Sequence, residues 1–536
     1  MQQQDQNVFS FSKILLAGVL TLVFLSVYTY FFPQQQKIET TPSQQAQVSK
    51  SAPSLQPNSA SAQMSSDQEV LARVEAKDFT LEIDTLGRIK QVYLKEKKFL
   101  TNPQKSIFAK FFNHKQEHEA LDALALFDPS MIRPLEIRFV DKTLNQMAFN
   151  TPYQVNQSTF KMDDQPIQIE LTQKLGDFVV TKILTLKPDL SYVLEIKTSA
   201  NKEYFLTNGA RPVADSDHYA FLGTIIAKKD GKLENLEEGD VEGVEKYGDS
   251  IFVASADRYF ASVIFDREKN LNVVVDGNIK AKNPIAFAQF QGDAKLEGYI
   301  GAKNYQDLKA LYAPLTDVVE YGLITFFAKP LFLLLEMLYE FCGNWGWAIV
   351  LLTIIVRLVL FPLSYKGMMG MQKLKDLAPE MKEIQAKYKN DPQKMQKHMM
   401  DLYRKHGANP LGGCLPLLLQ IPVFFAIYKV LYCAVELKSA PWALWIIDLS
   451  AIDPYYVLPV VMGVTMYISQ ILTPSNFTDP MQEKVFKMLP LFFTIFFIIF
   501  PFPAGLVLYW SVNNIISIFQ QILINRIVEN QKKAKQ

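Results

Sequence analysis

From about residue 330 to residue 525 the chain alternates long apolar stretches with short charged ones, and WAIVLLTIIVRLVLFPL at 347 to 363 is typical of them. An apolar run of roughly 20 residues is what a helix needs to cross a hydrocarbon core about 30 Å thick, and a lipid-exposed backbone must satisfy its own polar groups. This half of the chain is therefore confined to a bundle of membrane-spanning helices. The candidate spans are Asn344 to Leu363, Leu415 to Leu437, Tyr455 to Leu472, Met488 to Phe500 and Ala504 to Ile524, with FPFPAG as a tight turn before the last. A further run, Ile14 to Phe32, brings the expected total to about six.

The preceding part of the chain follows a different rule. FTLEID from Phe79, IKQVYL from Ile89, IQIELTQ from Ile167 and DFVVTKILTL from Asp177 alternate apolar and polar residues, and turn residues punctuate them. Residues 71 to 312 are thus expected to form a large all-β domain, an antiparallel sandwich. Residues 1 to 33 read as an uncleaved transmembrane anchor, because the apolar run exceeds a signal-peptide core and YTYFFPQQQ offers no small-x-small cleavage site. Residues 34 to 70 are rich in Gln, Ser, Ala and Pro, the composition of a flexible tether. Between the β domain and the spans, residues 313 to 343 show helical apolar faces. The segment opened by Pro330 and closed by Cys342-Gly343 is too short to cross a bilayer, so amphipathic helices lying in the interface are expected.

Basic residues orient the whole. The 366 to 408 segment holds Lys373, Lys375, Lys382, Lys387 and Arg404 among others, the 473 to 487 loop holds Lys484 and Lys487, and the tail holds Arg526, Lys532 and Lys533. All fall on one side when spans alternate, and that side is cytoplasmic. Both termini are then cytoplasmic, and residues 34 to 343 lie on the opposite side of the membrane. Within the basic segment Met371, Leu374, Met381, Ile384 and Tyr388 recur at helical spacing, and Met395, Met399 and Leu402 resume after Asn390-Asp391-Pro392. A helical hairpin over 366 to 408 follows; it serves as a solvated, positive-inside anchor or as a docking arm for ribosome, lipid or nascent chain.

Net charge excludes little else than bulk nucleic-acid binding: 55 basic residues face 54 acidic ones. The three cysteines, Cys342, Cys414 and Cys433, all lie in the apolar half, so the β domain carries no disulfide. His114 and His118 sit in a charged surface stretch, and neither a metal nor a cofactor is expected.

The informative charge is Arg357, inside the second span. A central arginine costs about 2.5 to 3.5 kcal/mol on insertion scales, although snorkelling relieves part of that. Thr353 and Ser364 share its face. The last span carries a longer polar stripe, Trp510, Asn513, Asn514, Ser517, Gln520 and Gln521, and the fourth adds Thr465, Ser469 and Gln470. Stripes of this kind face each other or water. Glu436, Asp453 and Glu529 sit at or beyond span ends, which leaves Arg357 without an evident counter-ion. The fifth span is an aromatic wall of Phe492, Phe493, Phe496, Phe497 and Phe500 with Thr494 inside it. Lipid contact and a partner's apolar helix both suit that wall.

NPLGGCLPLLLQIP at 409 to 422, VELKSAPWALWIIDLSAIDPYYVLPVVMGVTM at 435 to 466, TDPMQEK at 478 to 484 and PAGLVLYWSVNN at 503 to 514 resemble the YidC-type membrane protein insertases of Gram-negative bacteria. The resemblance covers essentially the whole chain. It implies a polytopic α-helical membrane protein with a five-helix core over 344 to 536 and a periplasmic β-supersandwich. It also implies an activity: energy-independent insertion and folding of inner-membrane proteins, alone or with the Sec translocon. Nascent membrane proteins, the ribosome and signal recognition pathway (through the hairpin and basic tail) and the bilayer are the implied partners. The family's groove arginine maps onto Arg357, with Thr353, Gln470, Trp510 and Asn514 around it. Its substrate-contacting slide maps onto Cys414, Leu415, Ile421 and Phe424 in the third span and Phe492, Thr494 and Phe496 in the fifth. Trp510 replaces the Tyr usual in close relatives, and FPFPAG is two residues longer than the usual turn. Independently of the resemblance, no Walker motif, H-E-x-x-H or nucleophile elbow points to an enzyme. A secondary transporter is the rival reading, without the internal repeats such folds show; an envelope sugar-binding protein with a passive anchor is a third.

Overall fold

The computed structural model describes residues 69–100, 122–214, 220–278, 283–319, 321–389, 391–407, 415–472, 480–500 and 502–533. The expected anchor over 1 to 33, nearly all of the tether, the two histidines and Cys414 lie outside them.

Alternation builds the first part as expected. Phe178–Leu186 buries every second side chain and pairs antiparallel with Ile167–Leu175 on one side and Ser191–Thr198 on the other. Such strands form a five-stranded and a thirteen-stranded sheet. Leu81, Ile83 and Val92 from the smaller share one core with Leu171, Val180, Leu184 and Leu194 from the larger, as in a sandwich. Gly87, at φ 64, turns the chain between Phe79–Asp84 and Ile89–Leu94, and its N–H donates to the Asp84 carbonyl at 2.9 Å.

Charge is buried inside this sandwich. Asp84 accepts from Arg88 and Arg133 at 2.8 and 2.7 Å, and Glu136 accepts from Arg88 and Arg138, each at 2.8 Å. Lys182, 1% exposed, donates to the carbonyls of Gly87 at 2.9 Å and Leu135 at 2.8 Å. Burial pushes its ammonium pKa down to about 7.

The other face of the larger sheet continues into the helical part. Ile225, Phe252, Ala254 and Val263 join Tyr305, Leu315 and Phe332 and the helices beyond in a second core. The linking helix α1, Tyr305–Leu311, is capped by Asn304. Arg258 donates from Nε to the Tyr432 carbonyl at 2.9 Å with its guanidinium 3.9 Å from that ring's centre, and Glu436 accepts from the Tyr305 N–H at 3.0 Å. These contacts fix the sandwich to the helices.

Helix α2, Thr325–Cys342, is one continuous helix entered through two 3-10 turns and closed by Gly343 at φ 65. The apolar pattern predicts a break at Pro330. That proline costs the helix only the bond to the Phe326 carbonyl, and Phe326 is 82% exposed, so the helix runs through. The next span breaks where it was expected to continue. Helix α3, Trp345–Val359, is capped by Asn344, and α4, Phe361–Asp376, leaves it at a 60° bend. Pro362 explains the bend, since it has no N–H for the Leu358 carbonyl and its ring disfavours helical geometry before it.

After the hairpin helices α5, Ala378–Lys387, and α6, Pro392–Lys405, the core continues with α7, Leu415–Cys433, α8, Val457–Leu472, α9, Pro480–Ile499, and α10, Ala504–Lys533. Helix α9 begins well before the expected Met488, with Pro480 at its first position, and α10 runs past Ile524 through the basic tail. The turn before α10 is tied down by Ala504 and Gly505 N–H groups donating to the carbonyls of Ala451 at 2.7 Å and Leu449 at 2.9 Å. Among the described residues, Ala504–Asn530 is long and apolar enough to cross a membrane. So is the bent pair Trp345–Val359 and Phe361–Asp376 taken together; Gln420–Cys433 and Val457–Leu472 are shorter apolar helices.

The basic segment forms a compact unit of its own. Its helices are α5, Ala378–Lys387, and α6, Pro392–Lys405, the second capped by Asp391. Tyr388 stacks on His398 at 4.5 Å, and Tyr403 donates to the Met381 sulfur at 3.9 Å. The apolar stripe expected to run unbroken from Met371 to Tyr388 is interrupted at Leu377, because Pro379 starts a new helix rather than continuing the old one.

Candidate functional site

Arg357 stands in the last turn of α3, one turn before the bend. Its residue exposure is 8%. Nε donates to Asn513 Oδ1 of α10 at 2.5 Å, a charge-assisted bond to a neutral acceptor. Asn513 is 7% exposed, and its own position is fixed by the regular helix around it. Gln520, two turns on, donates to the Arg357 carbonyl at 3.4 Å. The stripe on α10 therefore meets the arginine's face of α3, as the spacing implied.

A small cavity adjoins the guanidinium. Val356, Leu360, Leu363 and Val423 give it apolar walls, while Ser364, Gln420, Tyr509 and Asn513 supply polar groups. It leaves about 10 Å³ for the centres of water molecules, roughly room for one. No acidic side chain lines it, and no carboxylate of a described residue pairs with Arg357. The wide wet interior suggested by the three polar stripes is here narrow, because α7 and α10 close over it.

The other predicted residues divide into those that join this centre and those that do not. Thr353, 1% exposed, turns back to donate to the Ile349 carbonyl at 2.6 Å and does not reach the cavity lining. Gln470 bonds the Phe486 carbonyl of α9 at 2.5 Å, which staples α8 to α9 instead. Asn514 donates to the Met462 carbonyl of α8 at 3.4 Å. Trp510 packs in an aromatic cluster with Phe424 at 5.0 Å and Phe497 at 5.2 Å. Phe424, like Thr494 and Phe496, is partly buried, while Ile421 at 42% and Phe492 at 44% are exposed. Phe496 stacks between Phe492 and Phe500 at 6.3 and 5.0 Å, and Thr494 donates to the Pro490 carbonyl at 2.8 Å. Cys414 and the Leu415 side chain fall outside the described residues.

Tyr509 and Gln420 belong to the centre and were missed. Both carried a signal. Tyr509 is four residues before Asn513 and so shares its face, and Gln420 interrupts an otherwise apolar LPLLLQIPV.

Two family models divide this chain between them: "YidC periplasmic domain" matches residues 72–334 and "60Kd inner membrane protein" matches residues 337–533. The chain belongs to the YidC family of membrane protein insertases. The membrane protein insertase YidC of Helicobacter pylori is 50% identical over 99% of this chain and 98% of its own. That of Wolinella succinogenes is 50% identical over 97% of this chain and 96% of its own, and that of Campylobacter jejuni 44% over 99% of each. The boundary between the two family matches falls inside α2, where the sandwich's second core passes into the helices.

Proposed function

We propose that this protein inserts and folds inner-membrane proteins without nucleotide hydrolysis, with Arg357 as the transient partner of an acidic, hydrophilic substrate segment. One observation carries the reading: a guanidinium 8% exposed is held by a neutral amide and not by a carboxylate. A buried charge with its own counter-ion is neutralised; one with only a hydrogen-bond acceptor keeps its field. The substrate's polar stretch enters from the cytoplasmic side between α7 and α9, with Ser364, Gln420 and Tyr509 as further polar contacts. Its apolar stretch follows the exposed faces of Ile421 and Phe492, and Cys414, Leu415, Phe424, Thr494 and Phe496 complete that slide.

The proposed topology has both termini in the cytoplasm and residues 34 to 343 on the periplasmic side. Anchor 1 to 33, tether 34 to 70, sandwich 71 to 312, interfacial helix and five-helix core follow in order. Helix α8 has 16 residues, so it spans about 24 Å, less than the usual hydrocarbon thickness. A bilayer thinned to match it shortens the polar segment's path. The hairpin and the basic end of α10 are the proposed contacts for ribosome and signal recognition pathway, and the Sec translocon is the proposed partner for larger substrates.

Purified protein reconstituted into liposomes, presented with a single-spanning substrate bearing an acidic tail, tests this. Protease-protected insertion in the absence of nucleotide is the expected result. Equal insertion into protein-free liposomes overturns it.

A further inference from the structure

A second cavity shares no lining residue with the one beside Arg357. It has a volume of about 670 Å³, within the range of roughly 300 to 1,000 Å³ typical of small-molecule sites. It opens where the β sandwich meets α2 and α7, and charges of both signs line it, the carboxylates of Glu237, Asp240 and Asp317 and the ammonium groups of Lys329 and Lys429. Glu237 and Asp240 come from the turn after the hairpin strand Leu233–Glu237, Lys329 from α2 and Lys429 from α7. Lys329 is paired with Asp317 at 3.1 Å. Lys429, half-buried, has no ion-pair or hydrogen-bond partner among the described residues. Tyr321, 2% exposed, also belongs to the lining, and its hydroxyl has no hydrogen-bond partner. A buried hydroxyl left in this condition is costly unless something else meets it, and the Lys429 ammonium beside it is free to pair.

The same helix that supplies Lys329 shows where the cavity lies relative to lipid. Phe326 and Phe341 of α2 are 82% and 84% exposed and Met337 is 56% exposed, while Phe332 and Leu335 are fully buried against the core. Aromatic and apolar side chains facing outward on this helix suit contact with lipid. Lys329 stands one turn from Phe326, so in the proposed topology, on which this step rests, the cavity lies at headgroup level.

We propose that this cavity binds the headgroup of a zwitterionic phospholipid carrying a primary ammonium. Lys429 and Lys329 take the phosphate, and Glu237 and Asp240 take the ammonium. An acidic phospholipid would satisfy the lysines but leave the two carboxylates facing a negative charge, and a simple cation would do the reverse. The inference does not involve Arg357 and stands or falls apart from the insertion mechanism; a bound lipid here would join sandwich, α2 and α7 at the membrane surface.

The full-length protein, delipidated in mild detergent, is titrated with phosphatidylethanolamine and with phosphatidylglycerol and read by native mass spectrometry. Wild type is expected to retain a single phosphatidylethanolamine in preference to phosphatidylglycerol. Lys429→Gln is expected to weaken that retention about tenfold, equivalent to about 1.4 kcal/mol, while Lys429→Arg preserves it and Asp240→Asn erases the preference between the two lipids. Thermal melting of each variant separates lost binding from lost folding, and Lys429 breaks no ion pair when replaced. Equal retention of the two lipids by wild type, or unchanged retention in Lys429→Gln, overturns the proposal. Soluble glycerophosphoethanolamine should displace the lipid. Inorganic phosphate that does so equally well would make a free anion the ligand and refute the lipid assignment.

Discussion

Replacing Arg357 by Gln separates its charge from its hydrogen bond. The carboxamide can still donate to Asn513 Oδ1, so the bond to α10 that the arginine now makes at 2.5 Å has a substitute. The positive charge has none. A substrate carboxylate that approaches the guanidinium to about 4 to 6 Å, at the effective dielectric of about 20 that suits partly buried sites, gains roughly 3 to 4 kcal/mol. Hydration of the substrate and salt reduce this, and about 1.5 to 3 kcal/mol remains for the barrier, or about 10- to 100-fold in insertion rate. The assay is a series of single-spanning substrates with zero, one or two acidic residues in the translocated tail, scored for protease protection in proteoliposomes. Arg357→Gln should lose most with two acids and little with none, and Arg357→Lys should retain most of the activity. An equal loss across the series would show that the residue supports the fold and not the passage of charge, and the reasoning would be refuted.

Asn513→Asp should give the arginine a permanent counter-ion: insertion of acidic-tailed substrates then falls about tenfold while neutral-tailed ones are little changed in the same assay. A Cβ on Gly463 would stand 1.8 Å from Thr494 Oγ1, so Gly463→Ala should push α8 from α9 and lower stability by about 1 to 3 kcal/mol in a thermal unfolding series, with Thr494→Ala restoring part of it. Lys182→Met should destabilise the sandwich by about 2 to 4 kcal/mol, seen as faster amide exchange in Phe178–Leu186, because two buried carbonyls lose their donor. In wild type, the cost of burying that ammonium is fully present below pH 7 and fades as pH rises from about 7 toward 10.5, where the folded state is neutral and the unfolded state still protonated; protection should grow over that window and stay flat in the variant.

Period and composition carried much of the fold in the sequence. Phe178–Leu186 alternates because one of its faces is inside a sandwich, and the polar stripe of α10 recurs at helical spacing because it meets α3. What escaped has identifiable causes. Pro330 and Pro362 look alike as punctuation, yet one is absorbed and the other bends the chain by 60°. The residues whose carbonyls they orphan, Phe326 and Leu358, are both exposed, so the difference is not local and no sequence pattern reports it. Gln470, Thr353 and Trp510 were grouped with Arg357 by chemical type, and the structure gives each another partner: a carbonyl of α9, a carbonyl of its own helix and an aromatic cluster. Helical periodicity fixes which face a residue takes, but its depth along the axis and the neighbouring helix opposite are tertiary facts. Tyr509 and Gln420 needed that second coordinate.

The choice of Asn rather than an acid opposite Arg357 has a physical logic. Left with no acceptor at all, the guanidinium would be costly enough to destabilise α3 or to drive the side chain out of the core toward the cytoplasmic surface. Clasped by a carboxylate, it would be stable and electrostatically silent. A neutral amide oxygen stands between these extremes: it satisfies one donor, fixes the side chain's direction, and leaves the remaining donors and the net charge to whatever enters beside Ser364, Gln420 and Tyr509. The cavity beside it has room for about one water, so little solvent is there to screen the field of the buried charge.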